Sequence, residues 1–490
     1  MPGRRKRTNR GAVAALPGAA ALACLAAPAA AQQVLLRSEA ARLSVEPYGA
    51  TSTLGGRAEL AAELGPLDTA LSAALERGGG RLGLSDSPAG TVQIPTAWRS
   101  KMMRSSATWA IGPGATLVLE AEDRDRWSRN FASLAAPGDD QLARDQSTAV
   151  RLGANAALGR LALQLGSEVT TGALETKAVH AGADADERWL TARRLFGKLT
   201  WRPTDAVAVE AGQALQSFDV GWRGAAQIDA ESRRLTPSFA LTLAPDPRTR
   251  WRLEAERTLT PVRPDQFAAY AQLATPDVGS APEPDLGWRY GASLARDLGR
   301  VHLAATASDW RLASVTELGP VGAGEAPVSI GAGSRQQLDL GFATPLSSRS
   351  PGGAALAGEL SLRRSQVRDP FTGESRAISG EAPYRAQLRL TGALPAGDLR
   401  WSVVARADGP QRLNQMTQVT DLGRTAGVGG ALTYGAGPVA VSVELDNLLG
   451  GARQVTTYSY GGSRADDVLT DIIRRNEYSR AVRISLRRAL

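Results

Sequence analysis

Short runs in which apolar and polar residues alternate, broken at near-regular intervals by turn residues, constrain this chain more than any other feature. In 439–446, Val439, Val441, Val443 and Leu445 fall on one face of an extended backbone, while Ala440, Ser442, Glu444 and Asp446 fall on the other. In 399–406 the faces are Leu399, Trp401, Val403 and Ala405 against Arg400, Ser402, Val404 and Arg406. The two-residue period returns at Leu161, Leu163 and Leu165, and at Trp251, Leu253 and Ala255 opposite Arg252, Glu254 and Glu256. It continues at Leu338, Leu340 and Phe342, and at Ala386, Leu388 and Leu390 opposite Gln387, Arg389 and Thr391. Helical spacing fits these windows badly.

Between paired runs sit tight reversals rich in Gly, Pro and Asp, residues whose backbone preferences suit turns. They centre on Gly65-Pro66, Gly112-Pro113-Gly114, Leu158-Gly159, Pro203-Thr204-Asp205 and Pro245-Asp246-Pro247, then on Leu298-Gly299, Gly352-Gly353, Ala396-Gly397 and Gly435-Ala436-Gly437. The eight intervals between the first and the last average roughly 46 residues, an architectural repeat. Nine hairpins give 18 strands. A first strand within 34–48 and a last at 480–490 bring the expectation to about 20, with 18–22 as the range.

Longer polar stretches with aromatic residues lie between the hairpins, at 123–147, 170–190, 259–286 and 449–478. Short turns on one side and long loops on the other are the pattern of an all-β, transmembrane, antiparallel up-and-down β-barrel, with turns in the periplasm and loops outside. A secreted β-propeller has a similar repeat length. It is disfavoured because each repeat here offers only two strands of roughly nine to eleven residues, the length that crosses a membrane at a tilt, and no blade signature recurs.

The start of the chain bears on where such a barrel would be built. Arg4, Arg5, Lys6, Arg7 and Arg10 precede an Ala- and Leu-rich run from Gly11 that leads to Ala29-Ala30-Ala31-Gln32, the small-x-small form of a signal peptidase site. Residues 1–31 therefore read as a cleaved signal peptide and 32–490 as the barrel. The formal charge of +8 falls to +3 (52 basic against 49 acidic residues) once those five cations are removed, so no nucleic-acid partner is indicated. The only cysteine, Cys24, lies inside the leader, so the mature chain has no thiol for a disulfide, a zinc site or a nucleophile. No later stretch approaches 18 uninterrupted apolar residues. An exported chain with no second helical span can stay in the periplasm, leave the cell or enter the outer membrane as a barrel. In hydrocarbon only helices and closed barrels pair every backbone polar group, and with the strand alternation this makes the Gram-negative outer membrane the expected location.

Three stretches of the C-terminal half resemble the barrel domain of TonB-dependent outer-membrane receptors. The first is the hairpin from Thr236-Pro237-Ser238-Phe239 through Pro245-Asp246-Pro247 to Trp251-Arg252-Leu253-Glu254. The second is Arg368-Asp369-Pro370-Phe371-Thr372-Gly373, leading to Ile378-Ser379-Gly380. The third is Val443-Glu444-Leu445-Asp446-Asn447-Leu448, then Tyr458-Ser459-Tyr460-Gly461-Gly462 and the closing run 480–490. The resemblance covers 233–490 by motif and 40–232 by strand pattern only. It implies uptake or permeation of a solute across the outer membrane. Its implied partners are outer-membrane lipid, the barrel assembly machinery, an unknown solute ligand, a separate plug protein and the TonB system.

The chain departs from the family at both ends. The hairpin pattern begins near Gly56, leaving no room for the family's N-terminal plug and TonB-contacting box, so no ligand or coupling residue carries over from them. The last residue is Leu490, where such barrels usually end in Phe or Trp. The alternative reading is a structural or surface-binding barrel with a closed lumen and no transport role.

Candidate chemistry is sparse. His180 and His302 are the only histidines, about 120 residues apart, and each has a bland reading: a loop residue near Asp184, Asp186 and Glu187, and a lumen residue between Val301 and Leu303. A Ser-His hydrolase would need a partner that the sequence does not place beside His302. No catalytic residue, cofactor or metal site is assigned, and the chain is read as a non-enzyme. The glycines at 78–80 and 461–462 lack the pattern of a phosphate loop. Residues 465–475 read as a short helix in the last loop. The functional content lies in charges expected on inner faces: the cations Arg252, Arg389, Arg400, Arg406, Arg483 and Arg487, and the anions Glu254, Glu256, Glu359, Glu444 and Asp446.

Overall fold

Alternation at period two specifies a strand with two unlike faces, and each tight turn returns the chain antiparallel beside itself. The computed structural model describes residues 32–46, 49–84, 92–130, 141–178, 186–223, 227–260, 284–321, 324–346, 353–394, 398–437, 439–466, 468–478 and 481–489. Residues 1–31, expected to be a leader, lie outside them.

The first strands are β1 (Gln32–Glu46), β2 (Gly49–Leu64), β3 (Leu67–Leu84), β4 (Val92–Gly112), β5 (Ala115–Asn130), β6 (Gln141–Leu158) and β7 (Leu161–Ala178). There follow β8 (Asp186–Thr204), β9 (Val207–Arg223), β10 (Gln227–Asp246), β11 (Thr249–Thr260), β12 (Asp285–Leu298) and β13 (Val301–Ser314). Next come β14 (Thr316–Val321), β15 (Gly324–Ser329), β16 (Gly333–Pro345), β17 (Ala355–Arg368), β18 (Ser375–Arg376), β19 (Tyr384–Ala393) and β20 (Leu399–Asp408). The last are β21 (Gln411–Asn414), β22 (Gln418–Leu422), β23 (Thr425–Ala436), β24 (Val439–Asp446), β25 (Ala452–Tyr460), β26 (Leu469–Tyr478) and β27 (Ala481–Ala489).

Strands β1 to β13 pair antiparallel in sequence order, followed by β16, β17, β19, β20, β23, β24 and β27; thirteen and seven make twenty. β27 then pairs antiparallel with β1, for instance Ile484 opposite Leu43, and the sheet closes. Two-residue β18 hangs on β17 outside the ring. With neighbouring strands about 4.8 Å apart and tilted about 40°, such a ring is roughly 40 Å across.

The register separates an outer from an inner face. Leu161, Trp201, Val209, Leu241 and Leu253 stand opposite one another on consecutive strands β7 to β11, and the row continues through Ala292, Ala307, Leu338 and Leu362 to β17. Trp201 is 49% exposed and Leu253 48%, a face that suits hydrocarbon and not water. One residue over, Arg252, Ser293, Thr306, Asp339, Ser361, Arg385 and Asp408 form a polar row on the inner face of β11 to β20. At the periplasmic turns Gly114 has φ +76°, and a Cβ there would lie 3.1 Å from the Ala157 carbonyl, so the position suits glycine alone.

Three expectations need correction. The 123–147 and 170–190 stretches are mostly not loops: β5 runs to Asn130, β6 starts at Gln141, β7 ends at Ala178 and β8 starts at Asp186. Strands are accordingly far longer than nine to eleven residues, reaching 21 in β4. Above the bilayer a polar outer face carries no desolvation cost, so hydrophobic alternation fades while the backbone ladder, indifferent to side-chain polarity, continues. The 465–475 segment is not a helix: a 3-10 turn at Arg464–Asp466 leads into β26. Its β-branched Ile472 and Ile473 gain a partner in β25, with Ile472 opposite Tyr458. The 449–478 stretch is thus folded, because β21, β22, β25 and β26 make a four-stranded sheet above the barrel. Of the 259–286 stretch, residues 261–283 lie outside the described residues.

Candidate functional site

The inner wall carries a chain of opposite charges. Lys198 on β8 lies 3.9 Å from Glu210 on β9, which accepts from Arg252 on β11 at 2.9 Å. Arg252 also reaches Glu254 at 3.3 Å and the Thr242 hydroxyl of β10 at 3.3 Å. Arg289 on β12 closes the series, at 2.6 Å from Glu254 and 2.8 Å from Glu256. The signs alternate along six side chains, so the wall is neutral overall yet presents donors and acceptors to whatever occupies the lumen. Beside it, Arg363 donates to Gln337 at 2.9 Å, and Gln337 donates to Asp339 at 2.8 Å.

The other sequence candidates fall elsewhere on the wall. Arg483 on β27 sits 3.8 Å from Glu444 and 3.3 Å from Asp446 on β24, a separate group beside the closing seam. Glu359, Gln387 and Arg406 occupy one cross-strand row, and Arg406 donates to Gln387 at 3.2 Å. Arg389 and Arg400 lie on inner positions of β19 and β20 with no ion pair among the described residues. Arg487 lies in β27 opposite Ala440, and its side chain is outside the described residues. The sequence reading missed Lys198, Glu210 and Arg289. Glu210 stood at the polar parity in Val207-Ala208-Val209-Glu210, on the face opposite Val207 and Val209, and could have been found that way.

His302 faces Asp297 across the β12–β13 turn, with Nδ1 at 2.6 Å from Oδ1. The two are direct cross-strand partners, which explains the contact. No hydroxyl joins the pair among the described residues, so no Ser-His arrangement forms. His180 lies outside the described residues.

The mouth is built differently. The β14–β15 hairpin folds inward from the β13–β16 edge and packs on the inner faces of β8–β10. There Val321 and Ala326 cover Val220 and Trp222, the latter 2% exposed, with Leu190 and Ala230 around them. On its other side Glu317 accepts from Arg376 at 2.8 Å and from the Ser379 N–H at 2.7 Å. Arg376 in turn donates to Asp369 at 2.5 Å, and Arg464 donates to the same carboxylate at 2.8 Å. The N–H groups of Phe371 and Thr372 supply two more bonds, at 2.9 and 3.0 Å. Arg464 also lies over the Phe371 ring, 5.4 Å from its centroid.

Asp369 is 1% exposed at its side chain. Burial alone would raise its pKa, but the Arg464 and Arg376 guanidiniums and the two N–H groups outweigh it, holding the carboxyl well below the usual carboxylate range. Burial has the upper hand at Asp285, pushing its carboxyl up although it accepts the Thr316 N–H at the hairpin base. The Asp369 hub thus ties hairpin, β17–β18 turn and upper sheet into one crown.

Comparisons with known proteins bear on the fold. The barrel matches the siderophore receptor PiuA from Acinetobacter baumannii with a TM-score of 0.67 at 8% identity, covering 94% of this chain and 82% of that one. It matches the ferric yersiniabactin uptake receptor FyuA from Yersinia pestis with a TM-score of 0.64 at 13% identity, covering 94% and 80%. For the FrpB iron transporter from Neisseria meningitidis the TM-score is 0.65 at 11% identity, covering 96% and 84%. What is shared is the fold. The barrel resembles those of TonB-dependent outer-membrane receptors, as the sequence motifs imply. No protein-family model matches the chain, and no curated protein does.

Proposed function

We propose that the chain is exported through its leader, assembles in the Gram-negative outer membrane and passes a polar solute through its lumen without chemical conversion. The observation that carries this reading is the alternating-charge wall from Lys198 to Glu256 beneath a mouth narrowed by the β14–β15 hairpin. A wall of paired charges lowers the cost of moving a hydrated or zwitterionic solute across a low-dielectric layer, and an inward hairpin selects what arrives there. The likeness to proteins described as a siderophore receptor and an iron transporter supports uptake as the direction. A separate plug chain and the TonB system would supply gating and energy if uptake is driven, and the assembly machinery would insert the barrel.

The test is solute flux into liposomes holding the purified mature chain, compared with a variant in which residues 317–328 are replaced by a short Gly-Ser link. Slow entry of small zwitterions by wild type and at least several-fold faster entry by the shortened variant are expected. A folded barrel that admits nothing in either form would overturn the proposal in favour of a structural barrel.

A further inference from the structure

On the outer face of β8, β9 and β10 the register aligns two rows. Leu195, Leu215 and Leu235 are direct neighbours, Leu195 being 61% exposed and Leu235 49%. The next outward row is Arg193, Ser217 and Arg233. Eleven residues separate Thr204 at the periplasmic turn from Arg193. At about 3.3 Å per residue and a tilt of about 40° this is roughly 28 Å along the barrel axis, the upper limit of the hydrocarbon layer.

Neither arginine has an ion-pair partner among the described residues, although the following row outward holds Asp219 and Glu231 beside Thr191. Three other outward cations at this end are paired, Arg144 with Asp125 at 3.0 Å, Arg223 with Glu187 at 3.7 Å and Arg311 with Asp309 at 2.8 Å, while Arg99, Arg257 and Arg364 are not among the described residues. What sets this row apart is two arginines flanking a hydroxyl directly above a leucine row. Two strand spacings, roughly 10 Å, separate the backbones of Arg193 and Arg233, with Ser217 midway. A phosphate centred over Ser217 is within reach of both guanidiniums and the hydroxyl, while acyl chains below it lie along the leucine row. Guanidinium forks match phosphate oxygens in geometry and charge.

We infer that Arg193, Ser217 and Arg233 form a binding site for the phosphorylated headgroup of an outer-leaflet glycolipid, held on the wall of the barrel and independent of its lumen. This rests on the outer-membrane reading. The detergent-purified barrel, its folded state checked by heat-dependent gel shift, is titrated with bisphosphorylated lipid A and followed by native mass spectrometry. Wild type is expected to retain one lipid tightly. R193Q/R233Q should bind about thirtyfold more weakly, from two lost cationic contacts at a membrane surface, with R193K/R233K between them. Fully dephosphorylated lipid A should bind wild type no better than the double Gln variant does, and millimolar inorganic phosphate should leave the lipid in place.

Equal retention by wild type and R193Q/R233Q, or binding indifferent to phosphorylation, sinks the inference. Displacement by inorganic phosphate would reassign the site to a free anion. A chain with no gel shift would instead remove the outer-membrane reading itself.

Discussion

The belt of the barrel and its crown share one backbone ladder and obey opposite rules. In the belt, apolar side chains such as Trp201 and Leu253 face outward and charges such as Arg252 and Glu210 face a wide lumen, where water and neighbours on two sides keep each pair cheap to hold. In the crown, apolar side chains turn inward, as Trp222 does beneath the β14–β15 hairpin, and the charges of Asp369, Arg376 and Arg464 are buried together. The difference teaches that a strand's pattern reports the solvent on each side of it. Where hydrocarbon ends, the same strand can reverse which face is apolar without losing a hydrogen bond.

The comparison is most sharply broken at Asp369. Asp369→Ala strands two buried guanidiniums and should cost the crown about 3–5 kcal/mol, read as faster hydrogen exchange over 368–380 and around Arg464, with the gel shift of the belt unchanged. Acid should act on the same point. A carboxyl held below its ordinary range contributes stability that is complete above about pH 4, and it is lost as pH falls through the folded value. The crown should therefore loosen progressively below about pH 4 and be most open to an acid protease at the lowest pH reached, while the belt stays folded. Equal sensitivity of both regions would remove the distinction.

Next in size is Leu253→Arg in the outer belt, expected to cost about 2–4 kcal/mol in lipid, measured by reversible unfolding from vesicles. Thr306→Arg on the inner face should stay within about 1 kcal/mol. Gly114→Ala at the periplasmic turn should cost about 1 kcal/mol from its positive φ, visible in the same unfolding curves. The smallest stability effect belongs to Arg252→Gln, under about 1 kcal/mol for a half-exposed pair. There the informative reading is the reversal potential, which should shift toward cation preference because Glu210 and Glu254 lose a counter-charge.

The belt was legible in the sequence because its constraint is local. Trp251, Leu253 and Ala255 against Arg252, Glu254 and Glu256 state both faces of β11 in six residues, and the Gly-rich reversals mark where hairpins begin. The ring of twenty strands follows from counting them. The crown was legible only in outline. Asp369 stood in a recognised motif, yet its meaning depends on Arg464, 95 residues away, and on Glu317, 59 residues before Arg376. Likewise the Arg252 group was seen without Glu210, because β10 separates their strands and only the closed register brings them to 2.9 Å. Residues 123–147 read as loop since Asp123, Asp125 and Arg144 look outward into solvent, although they continue paired strands.

The seam between β1 and β27 sets a timing rule for how this molecule is made. Arg37 lies opposite Ala489, so closing the ring joins residues at the two extremes of the described strands. Until that moment the growing sheet has two unpaired edges, each a template for pairing with another chain. Closing a loop that long is slow because the ordering cost comes before the reward. A half-made barrel of this kind needs its edges shielded until the seam forms.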